Sequence, residues 1–432
     1  MFKARTCPAL LIAATASGQG KTTLVAALAR WHHRQGRRVR VFKTGPDFLD
    51  PMILACAAAT EVEPLDLWMV GAQHCQRKLY AAAQDADLIL IEGAMGLFDG
   101  VPSSADLAQT LGIAVAGLID ARGMGQTFGA LALGLARYRP ALHWHGIIAN
   151  RVASDRHAQM LRQGCLPELP LLALVPRLPA AASLPSRHLG LVQAAELADL
   201  TRRLDAAADA LNDSALTQLP PSINIDPPLS IDPLPPLLAG RHIAVARDAA
   251  FSFLYPDNLR LLTELGARLS FFSPLVDHSV NADALYLPGG YPELHLSTLA
   301  ANQALHHSIR AHATAGRPIY AECGGMLYLL ESLTDHHGTT AALLGLLPGQ
   351  ATMQPRLVGL GMQSLDTQCG CLRGHSFHHS RLESPLTPTQ YAQRQHGSHL
   401  GEAWYQQGAI RASYLHLYFY SAPKAAAALF LP

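Results

Sequence analysis

Two short stretches, far apart in the chain, contain residue types that could do chemistry. The first spans residues 14–23 and has two glycines followed by a lysine and two threonines. Backbone N–H groups at a helix N-terminus, a lysine and a hydroxyl are the groups that hold phosphates and Mg²⁺. The stretch therefore predicts a nucleotide-binding loop, although Thr15 stands where the usual pattern has its first glycine. The residues assigned to the nucleotide are Gly18, Gly20, Lys21, Thr22 and Thr23.

The second stretch is a cysteine followed by two glycines, at residues 323–325. An apolar run from Pro318 leads into Cys323, and a helical segment begins near Met326. A strand, a nucleophile, small residues and a helix together predict a nucleophile elbow, in which the helix N-terminus lowers the thiol pKa. A structural buried cysteine would not need the two glycines.

A thiol that attacks an amide needs an oxyanion hole and a base. The glycine loop after a predicted strand at 285–287 suggests that the N–H groups of Gly290 and Gly324 form the hole. The residues alone do not single out the base. His416, which follows an apolar segment, is one candidate among several in this half of the chain. The others are His278, His295, His375, His378 and His379.

Polar residues also follow the predicted strands of the first half. Glu92 ends the apolar run 88–91, where a second magnesium contact is usual. Asp47 and Asp50 lie in a proline-stiffened loop that, taken alone, is more often a turn than a site. Asn150 ends a later strand and either contacts the base of the nucleotide or caps the next helix.

The elements that would position these residues alternate regularly. Apolar runs at 10–14, 39–43, 88–92, 114–120 and 146–150 predict buried strands. Ala- and Leu-rich segments such as 22–35 and 126–138 have helical spacing. This alternation predicts an α/β fold with a parallel sheet covered by helices on both faces, and ligands on such sheets bind beyond the carboxyl ends of the strands.

Proline content divides the chain. Residues 218–240 are dense in proline and lack periodicity, which predicts an extended linker. A new strand at 242–246 opens a second α/β domain. The predicted organisation is a nucleotide domain at 1–217, the linker at 218–240 and a thiol domain at 241–432.

Composition excludes several classes of protein. The 33 basic and 32 acidic residues give a net charge of +1, so no basic surface for nucleic acid or an anionic membrane is expected. No apolar run reaches the roughly 18 residues of a membrane span. Seven scattered cysteines argue against a disulfide framework. We expect a cytoplasmic protein without nucleic-acid or membrane partners.

Two local patterns have alternative interpretations. Residues 3–16 imitate a short signal peptide, but a buried strand that feeds the phosphate loop explains them without destroying the loop. Cys369 and Cys371 precede three histidines at 375–379. Their spacing matches no familiar zinc pattern, and a structural zinc site stays a minor alternative.

Over nearly its whole length the sequence resembles the cobyrinic acid or hydrogenobyrinic acid a,c-diamide synthases of cobalamin biosynthesis. Many separate blocks in one order make this resemblance specific. The blocks are the phosphate loop and residues 42–51, 92–100, 184–191, 246–257, 289–294, 321–327, 373–380 and 413–419.

The resemblance implies a P-loop ATP-dependent amidoligase domain related to dethiobiotin synthetase, followed by a class I glutamine amidotransferase domain. ATP, glutamine and a corrinoid would be the substrates and Mg²⁺ the metal. Lys21 would act on ATP, and Thr22 and Glu92 would bind Mg²⁺. The segments that line the corrinoid and phosphoryl-transfer site contain Asp47, Leu49 and Asp99.

For the second domain, the resemblance implies that Cys323 is the nucleophile and His416 its base. Triad amidotransferases place a glutamate two residues after the histidine, but that position is Tyr418 here. The group that orients His416 therefore comes from elsewhere, or the site is a dyad.

Alternatives remain at the level of substrate and assembly. The substrate is cobyrinic acid, hydrogenobyrinic acid or a nickel tetrapyrrole (nickel-sirohydrochlorin), and no residue separates them. Cobyric acid synthases share both domains but are usually longer. From another class, the first half could be an ATPase switch joined to an inactive amidotransferase domain. A homodimer is left open.

Overall fold

The computed structural model describes residues 3–180, 182–187, 190–228 and 233–432. Parts of the 184–191 block and of the predicted linker lie outside the described residues. The chain divides into two compact units, Met1–Ile231 and Asp232–Pro432. Within the described ranges, no helix combines the length and apolar composition that crossing a membrane requires.

The first unit alternates strands and helices, as the sequence predicts. Its strands are β1 (Arg5–Ala14), β2 (Val39–Thr44), β3 (Glu63–Leu65), β4 (Leu88–Gly96), β5 (Ala114–Asp120), β6 (Trp144–Val152), β7 (Leu171–Pro176), β8 (Ser186–Arg187), β9 (Gly190–Leu191) and β10 (Ser222–Ile225). Its helices are α1 (Lys21–Arg34), α2 (Leu49–Ala58), α3 (Leu67–Ala82), α4 (Ser104–Leu111), α5 (Thr127–Tyr138), α6 (Asp155–Gly164) and α7 (Leu200–Asp209).

A parallel sheet with the order β3-β2-β4-β1-β5-β6-β7 forms the centre of this unit, which confirms the predicted fold. Successive side chains of β1 point to opposite faces. Leu10 and Ile12 pack in a core that includes α1 and α2. Leu11 packs in a separate core that includes α3 and α4. Both faces of the sheet are therefore buried under helices, which explains the apolar strands.

Part of the predicted linker belongs to the first unit. Residues 222–225 form β10, which pairs antiparallel with the start of β1, from Arg5↔Ile225 to Pro8↔Ser222. Ile223 and Ile225 are buried in the same core as Cys7. The proline-rich composition hid this strand, because its four residues alternate exposed and buried between prolines.

The second unit also begins with a parallel arrangement. Its strands are β11 (His242–Ala246), β12 (Arg268–Phe272), β13 (Ala284–Leu287), β14 (Ile319–Glu322), β15 (Leu330–Thr334), β16 (Thr340–Ala342), β17 (Leu347–Met353), β18 (Gly359–Thr367), β19 (Gly370–His378), β20 (Ser380–Glu383), β21 (Gln390–Arg394), β22 (Leu400–Gln407), β23 (Ile410–Ser413) and β24 (His416–Tyr418). Its helices are α8 (Pro256–Glu264), α9 (Leu296–Ala301), α10 (Gln303–Thr314), α11 (Gly324–Leu329) and α12 (Pro423–Ala428).

The main sheet of this unit has the order β12-β11-β13-β14-β23-β22-β21-β18-β19-β24. The first five strands in this order are parallel, and the others join antiparallel. A second sheet has the order β16-β15-β17-β20. β14 pairs with β13 and β23, so the cysteine that follows β14 lies at the carboxyl edge of the parallel part.

Candidate active sites

The phosphate loop lies between β1 and α1, as predicted. Gly18 and Gly20 have φ of +74° and +93°, a conformation that favours glycine. A methyl group on Gly20 would lie 2.5 Å from Asn150 Nδ2. The Asn150 amide donates a hydrogen bond of 2.7 Å to the Gln19 carbonyl. The end of β6 therefore supports the loop, and glycine is needed where the two meet.

The helix-capping alternative for Asn150 is wrong. Ser154 is the N-cap of α6, and its side chain accepts a hydrogen bond from His157 N. Asn150 instead faces the phosphate loop, at the position predicted for a nucleotide contact. The contact of Asn150 with the base of a nucleotide stays a prediction.

Lys21 is buried at the start of α1 and held by two backbone carbonyls. Its Nζ donates to Met95 O at 2.6 Å and to Ala16 O at 3.1 Å. Burial lowers the pKa of Lys21, and the nearby charge of Lys43 lowers it further. Met95 has φ of +50°, a strained conformation for a residue with a side chain.

Thr22 connects the loop to two carboxylates. Its hydroxyl lies 2.7 Å from Glu92 Oε1 and 3.1 Å from Asp50 Oδ2. Strand register places Glu92 between Ile12 of β1 and Lys43 of β2. The predicted pair Thr22 and Glu92 is thus brought together.

The carboxylates beside Thr22 are crowded. Burial raises the pKa of Glu92 to about 8, and Asp50 adds to the rise. Burial and then the charge of Asp50 raise the pKa of Asp47 to about 7. Burial alone would lower the pKa of Lys43, but Glu92, Asp47 and Asp50 raise it. Lys43, 3.8 Å from Asp50 and 3.9 Å from Asp47, is thus a buried cation that offsets these negative charges.

The oxygen atoms at this point suit a hard divalent cation. Glu92 Oε2 is buried and has no hydrogen-bond partner among the described residues. Thr22 and Asp50 supply further oxygens. The described part of the chain contains no group of three His, Cys, Asp or Glu side chains arranged to hold a metal. Mg²⁺ is often held by one or two carboxylates together with waters and phosphates, so the fit requires a bound nucleotide.

Three other predicted residues lie near this cluster. Asp47 Oδ1 accepts hydrogen bonds from the backbone N–H groups of Leu49 and Asp50, which fixes the start of α2. The Leu49 side chain is buried. Asp99 Oδ2 accepts from Gly96 N at 3.0 Å and so closes the turn after β4. Their contacts with a substrate stay predictions.

A cavity of about 610 Å³ adjoins the phosphate loop. Gly20, Thr23 and Asn150 lie on its loop side, and Pro176 and Leu178 on another. The predicted contacts Thr23 and Asn150 therefore face one space beside the loop. Its apolar walls with a few polar groups are typical of a small-molecule site.

Sequence reasoning missed an ion-pair cluster next to this cavity. Arg151 pairs with Asp120, and its other guanidinium nitrogen donates to Gly18 O at 3.1 Å. Arg122 also pairs with Asp120, at 2.8 Å. Hydrogen bonds from Arg122 and Arg151 lower the pKa of Asp120 against the effect of burial. Asp120 ends β5 and Arg151 follows Asn150, so their strand-end positions were the available signal.

In the second unit, Cys323 forms the predicted elbow. It lies between β14 and α11 with φ of +42° and ψ of −106°, an outlier for a residue with a side chain. Its N–H donates to Ser413 O at 2.8 Å. A methyl group on Gly325 would lie 2.0 Å from Leu287 O. The second glycine is therefore required by close packing against β13.

The prediction of a lowered thiol pKa is wrong, because the pKa of Cys323 is raised overall although the helix N–H acts in the predicted direction. Burial raises the pKa of Cys323, and the charges of Glu293, Glu402 and Glu322 raise it further. The Gly324 N–H lowers it, but one short helix does not outweigh desolvation and three carboxylates. Burial and these charges therefore favour the thiol of Cys323 over the thiolate.

The two glycines predicted for the oxyanion hole lie together. A methyl group on Gly324 would lie 2.9 Å from Gly290 N and 2.9 Å from Pro292 Cδ. The loop after β13 therefore brings its backbone against the start of α11. The role of these N–H groups stays a prediction that the geometry supports.

His416 is buried at the start of β24 and packs on the same glycine loop. A methyl group on Gly289 would lie 2.2 Å from His416 Cε1. Its ring stacks on His375, with centroids 5.0 Å apart. Burial lowers the pKa of His416 well below its usual value, and His375 and His378 add to the effect. A neutral imidazole can accept a proton, which agrees with the predicted base.

The other candidate histidines have different surroundings. His378 Nε2 lies 3.2 Å from Glu402 Oε1, and its ring stacks on Tyr414. His375 Nδ1 lies 3.1 Å from the Tyr255 hydroxyl. His278 is exposed.

The zinc alternative receives no support from the structure. Cys369 is exposed, and no metal-binding group of residues occurs in the described ranges.

Comparison with known proteins identifies a domain family for each unit. Residues 10–192 match the CobQ/CobB/MinD/ParA nucleotide binding domain. Residues 242–424 match the CobB/CobQ-like glutamine amidotransferase domain. The first match contains the phosphate loop, and the second contains Cys323 and His416.

Relatives match over the whole chain. The hydrogenobyrinate a,c-diamide synthase of Stutzerimonas stutzeri is 58% identical over 429 residues, 99% of each chain. That of Pseudomonas aeruginosa is 58% identical over 435 residues, covering 100% of this chain and 99% of the relative. The cobyrinate a,c-diamide synthase of Herminiimonas arsenicoxydans is 51% identical over 427 residues, covering 98% and 96%.

Proposed function

The chain belongs to the family of hydrogenobyrinate and cobyrinate a,c-diamide synthases, and we propose that it amidates the a and c acetate carboxylates of a corrinoid with ATP and glutamine. The observation that carries the proposal is the presence of two built sites in one chain. One brings Lys21, Thr22 and Glu92 to a phosphate loop, and the other brings Cys323 and His416 to a glycine-lined elbow.

The first unit would activate the acid. A carboxylate resists attack by ammonia because hydroxide is a poor leaving group. Attack of a carboxylate oxygen on the γ-phosphorus of ATP forms an acyl phosphate and releases ADP. Lys21 stabilises the charge that develops on the phosphoryl oxygens. We assign Mg²⁺ to Thr22 and Glu92, where it would neutralise phosphate charge.

The cavity beside the loop would take the nucleoside part of ATP. Gly18, Gly20 and Thr23 contact the phosphates in this proposal, and Asn150 contacts the base. Asp47, Leu49 and Asp99 are assigned to the corrinoid side, where Asp47 assists phosphoryl transfer.

The second unit would supply ammonia. Cys323 Sγ attacks the side-chain amide carbon of glutamine while His416 takes the thiol proton. The N–H groups of Gly290 and Gly324 stabilise the oxyanion, and His416 returns the proton to the leaving ammonia. Water, activated by His416, then hydrolyses the glutamyl thioester. Ammonia displaces phosphate from the acyl phosphate, and the cycle runs twice for the two acetates.

An intact elbow argues against the alternative of an ATPase switch with an inactive amidotransferase domain. Inactive sites have no need for a strained cysteine or for glycines in contact with His416. All seven cysteines lie in the described ranges and none of them forms a disulfide there, which supports a reducing, cytoplasmic compartment. We also propose that the chain forms a homodimer, which analytical ultracentrifugation would test.

The test is mass spectrometry of the products formed from hydrogenobyrinic acid and, separately, from cobyrinic acid. Each reaction contains Mg-ATP and glutamine labelled with ¹⁵N at the amide. We expect two ¹⁵N amides per corrinoid, with hydrogenobyrinic acid preferred because the two more similar relatives are named for it. Glutamine hydrolysis without amidation of either corrinoid would overturn the substrate assignment.

A further inference from the structure

A buried glutamate immediately precedes the nucleophile. Glu322 is the last residue of β14 and is only 1% exposed. Its Oε1 accepts hydrogen bonds from the Tyr320 hydroxyl at 2.7 Å and from Leu417 N at 3.0 Å. Its Oε2 accepts from the Tyr286 hydroxyl at 3.0 Å. Three donors therefore fix this carboxylate in one orientation.

The same carboxylate faces the predicted base. Glu322 Oε2 lies 3.9 Å from His416 Nδ1. The N–H of Leu417, the residue after His416, is bound to the other carboxylate oxygen. Glu322 thus contacts the segment that carries His416, while its own backbone carries Cys323.

Two other groups near His416 are less suited to orient it. Tyr418 lies two residues after the histidine, but its hydroxyl donates to Asp257 Oδ2, and Asp257 also pairs with Arg260 at 3.0 Å. The His375 ring lies at 22° to that of His416, face to face. A ring nitrogen makes hydrogen bonds in the ring plane, so a stacked neighbour does not fix its direction.

We propose that Glu322 is the positioning residue of the thiol site, which orients His416 through Nδ1 and provides the negative charge beside it. The proposal rests on the proposed glutaminase reaction. When Cys323 gives its proton to the ring nitrogen that faces away from Glu322, the ring becomes an imidazolium. Its Nδ1–H then faces a carboxylate that is already in place, as in the Ser-His-Asp arrangement.

The surroundings explain why a charge is needed here. Burial lowers the pKa of His416 and raises the pKa of Glu322 to about 7. The other titratable groups that face the histidine are His375 and His378, which also disfavour an imidazolium. On the side of Glu322 they are Tyr286 and Tyr320, whose hydroxyls favour the carboxylate. Glu293 and Glu402 disfavour the thiolate, and Glu322 itself does so more weakly. Glu322, with Oε2 at 3.9 Å from Nδ1, is the acidic side chain placed beside the ring where it can stabilise an imidazolium.

The test is Glu322→Gln in the full chain, which keeps the shape of the side chain and removes the charge. We expect glutamine-dependent amidation to fall about 10²-fold in kcat. Amidation with added ammonia should stay unchanged, because it bypasses the thiol. The alkylation of Cys323 by iodoacetamide can be followed by mass spectrometry of the peptide that contains this cysteine. We expect the pH at which the alkylation rate is half-maximal to rise by about one unit.

Asp257→Asn is the matched control, since it removes another buried carboxylate of the same unit that does not face His416. Its alkylation profile should equal that of the unaltered protein. Unchanged glutamine-dependent activity and an unchanged alkylation profile in Glu322→Gln would overturn the proposal.

A second variant covers the case in which Glu322→Gln does not fold. Tyr286→Phe removes the donor to Oε2 and raises the Glu322 pKa, so we expect a smaller shift of the alkylation profile in the same direction. No shift in this folded variant would contradict the role of Glu322. Alkylation needs no corrinoid, so this readout stands even if the proposed substrate is wrong.

Discussion

The two units place their reactive groups at the carboxyl edge of a parallel sheet but control charge in opposite ways. Around Thr22, carboxylates crowd together and the buried ammonium of Lys43 lies 3.8 Å from Asp50. Around Cys323, the thiol and His416 are both buried, and burial favours the neutral form of each.

This difference follows from the chemistry that each site serves. A phosphoryl group is negatively charged and is transferred together with a divalent cation, so its site needs carboxylates for the cation and a lysine for the phosphates. Glutamine is neutral at its reacting amide, so a dry site with a neutral thiol and imidazole suits it until the proton moves. Variants that affect one site should leave the partial reaction of the other intact.

The largest expected effect is that of Cys323→Ala. Glutamine-dependent amidation should fall at least about 10³-fold, because the nucleophile is gone. Amidation with added ammonia should continue at the normal rate. The measurement is product formation with each nitrogen source, and Cys369→Ala, at an exposed cysteine, is the control. An equal loss of activity with glutamine and with ammonia would contradict the conclusion that the two sites act separately.

Lys21→Ala should produce the complementary pattern. Loss of the ammonium that we assign to the phosphates should lower amidation about 10²-fold with either nitrogen source. Formation of the glutamyl thioester at Cys323 needs no phosphate contact and should persist. Lys424→Ala, at an exposed lysine of α12, should change neither reaction. Loss of thioester formation in Lys21→Ala would contradict the comparison.

The pH dependence of the magnesium requirement sharpens the contrast between charged and neutral sites. Because the Glu92 pKa is raised to about 8, the protonated form, which does not bind cations, dominates below that pH. With ammonia as nitrogen source, the Mg²⁺ concentration for half-maximal rate should rise by up to about tenfold between pH 8 and pH 7. Glu92→Gln should weaken Mg²⁺ binding and remove this dependence. A requirement that does not change with pH would remove Glu92 from the metal site.

The smallest expected effect concerns glycines away from either site. Nothing lies within 4 Å of a methyl group built on Gly134, in the exposed face of α5. Gly134→Ala should therefore raise the free energy of unfolding by about 1 kcal/mol. In the same helix, a methyl group on Gly129 would lie 1.6 Å from Gly164 O, so Gly129→Ala should destabilise. Denaturant unfolding measures the free energy of unfolding of both variants. Amidation activity per folded protein should not change in either variant.

The sequence predicted much of the fold because its signals are local. The apolar run before Gly18 and the run before Cys323 both became strands that end at a reactive group. The antiparallel strands between 359 and 407 were not predicted, since pairing across long stretches of chain leaves no local pattern.

The site was predictable in its residue types but not in its electrostatics. Helix position alone suggested a low thiol pKa at Cys323, but burial and three carboxylates decide the outcome. Glu322 was adjacent to the cysteine in the sequence, yet its importance depends on β24 returning beside it. Likewise, Lys43 gains its role only because strand register sets it opposite Glu92.

The pairing of β10 with β1 has a consequence for synthesis on the ribosome. The opening strand of the first unit, Arg5–Ala14, receives a partner from residues 222–225, more than two hundred residues later. The nucleotide-binding unit therefore cannot complete its sheet until the proline-rich segment has left the exit tunnel. Until then Cys7 lacks Ile223 and Ile225 from its core, and the start of β1 keeps an unpaired edge that is open to mispairing.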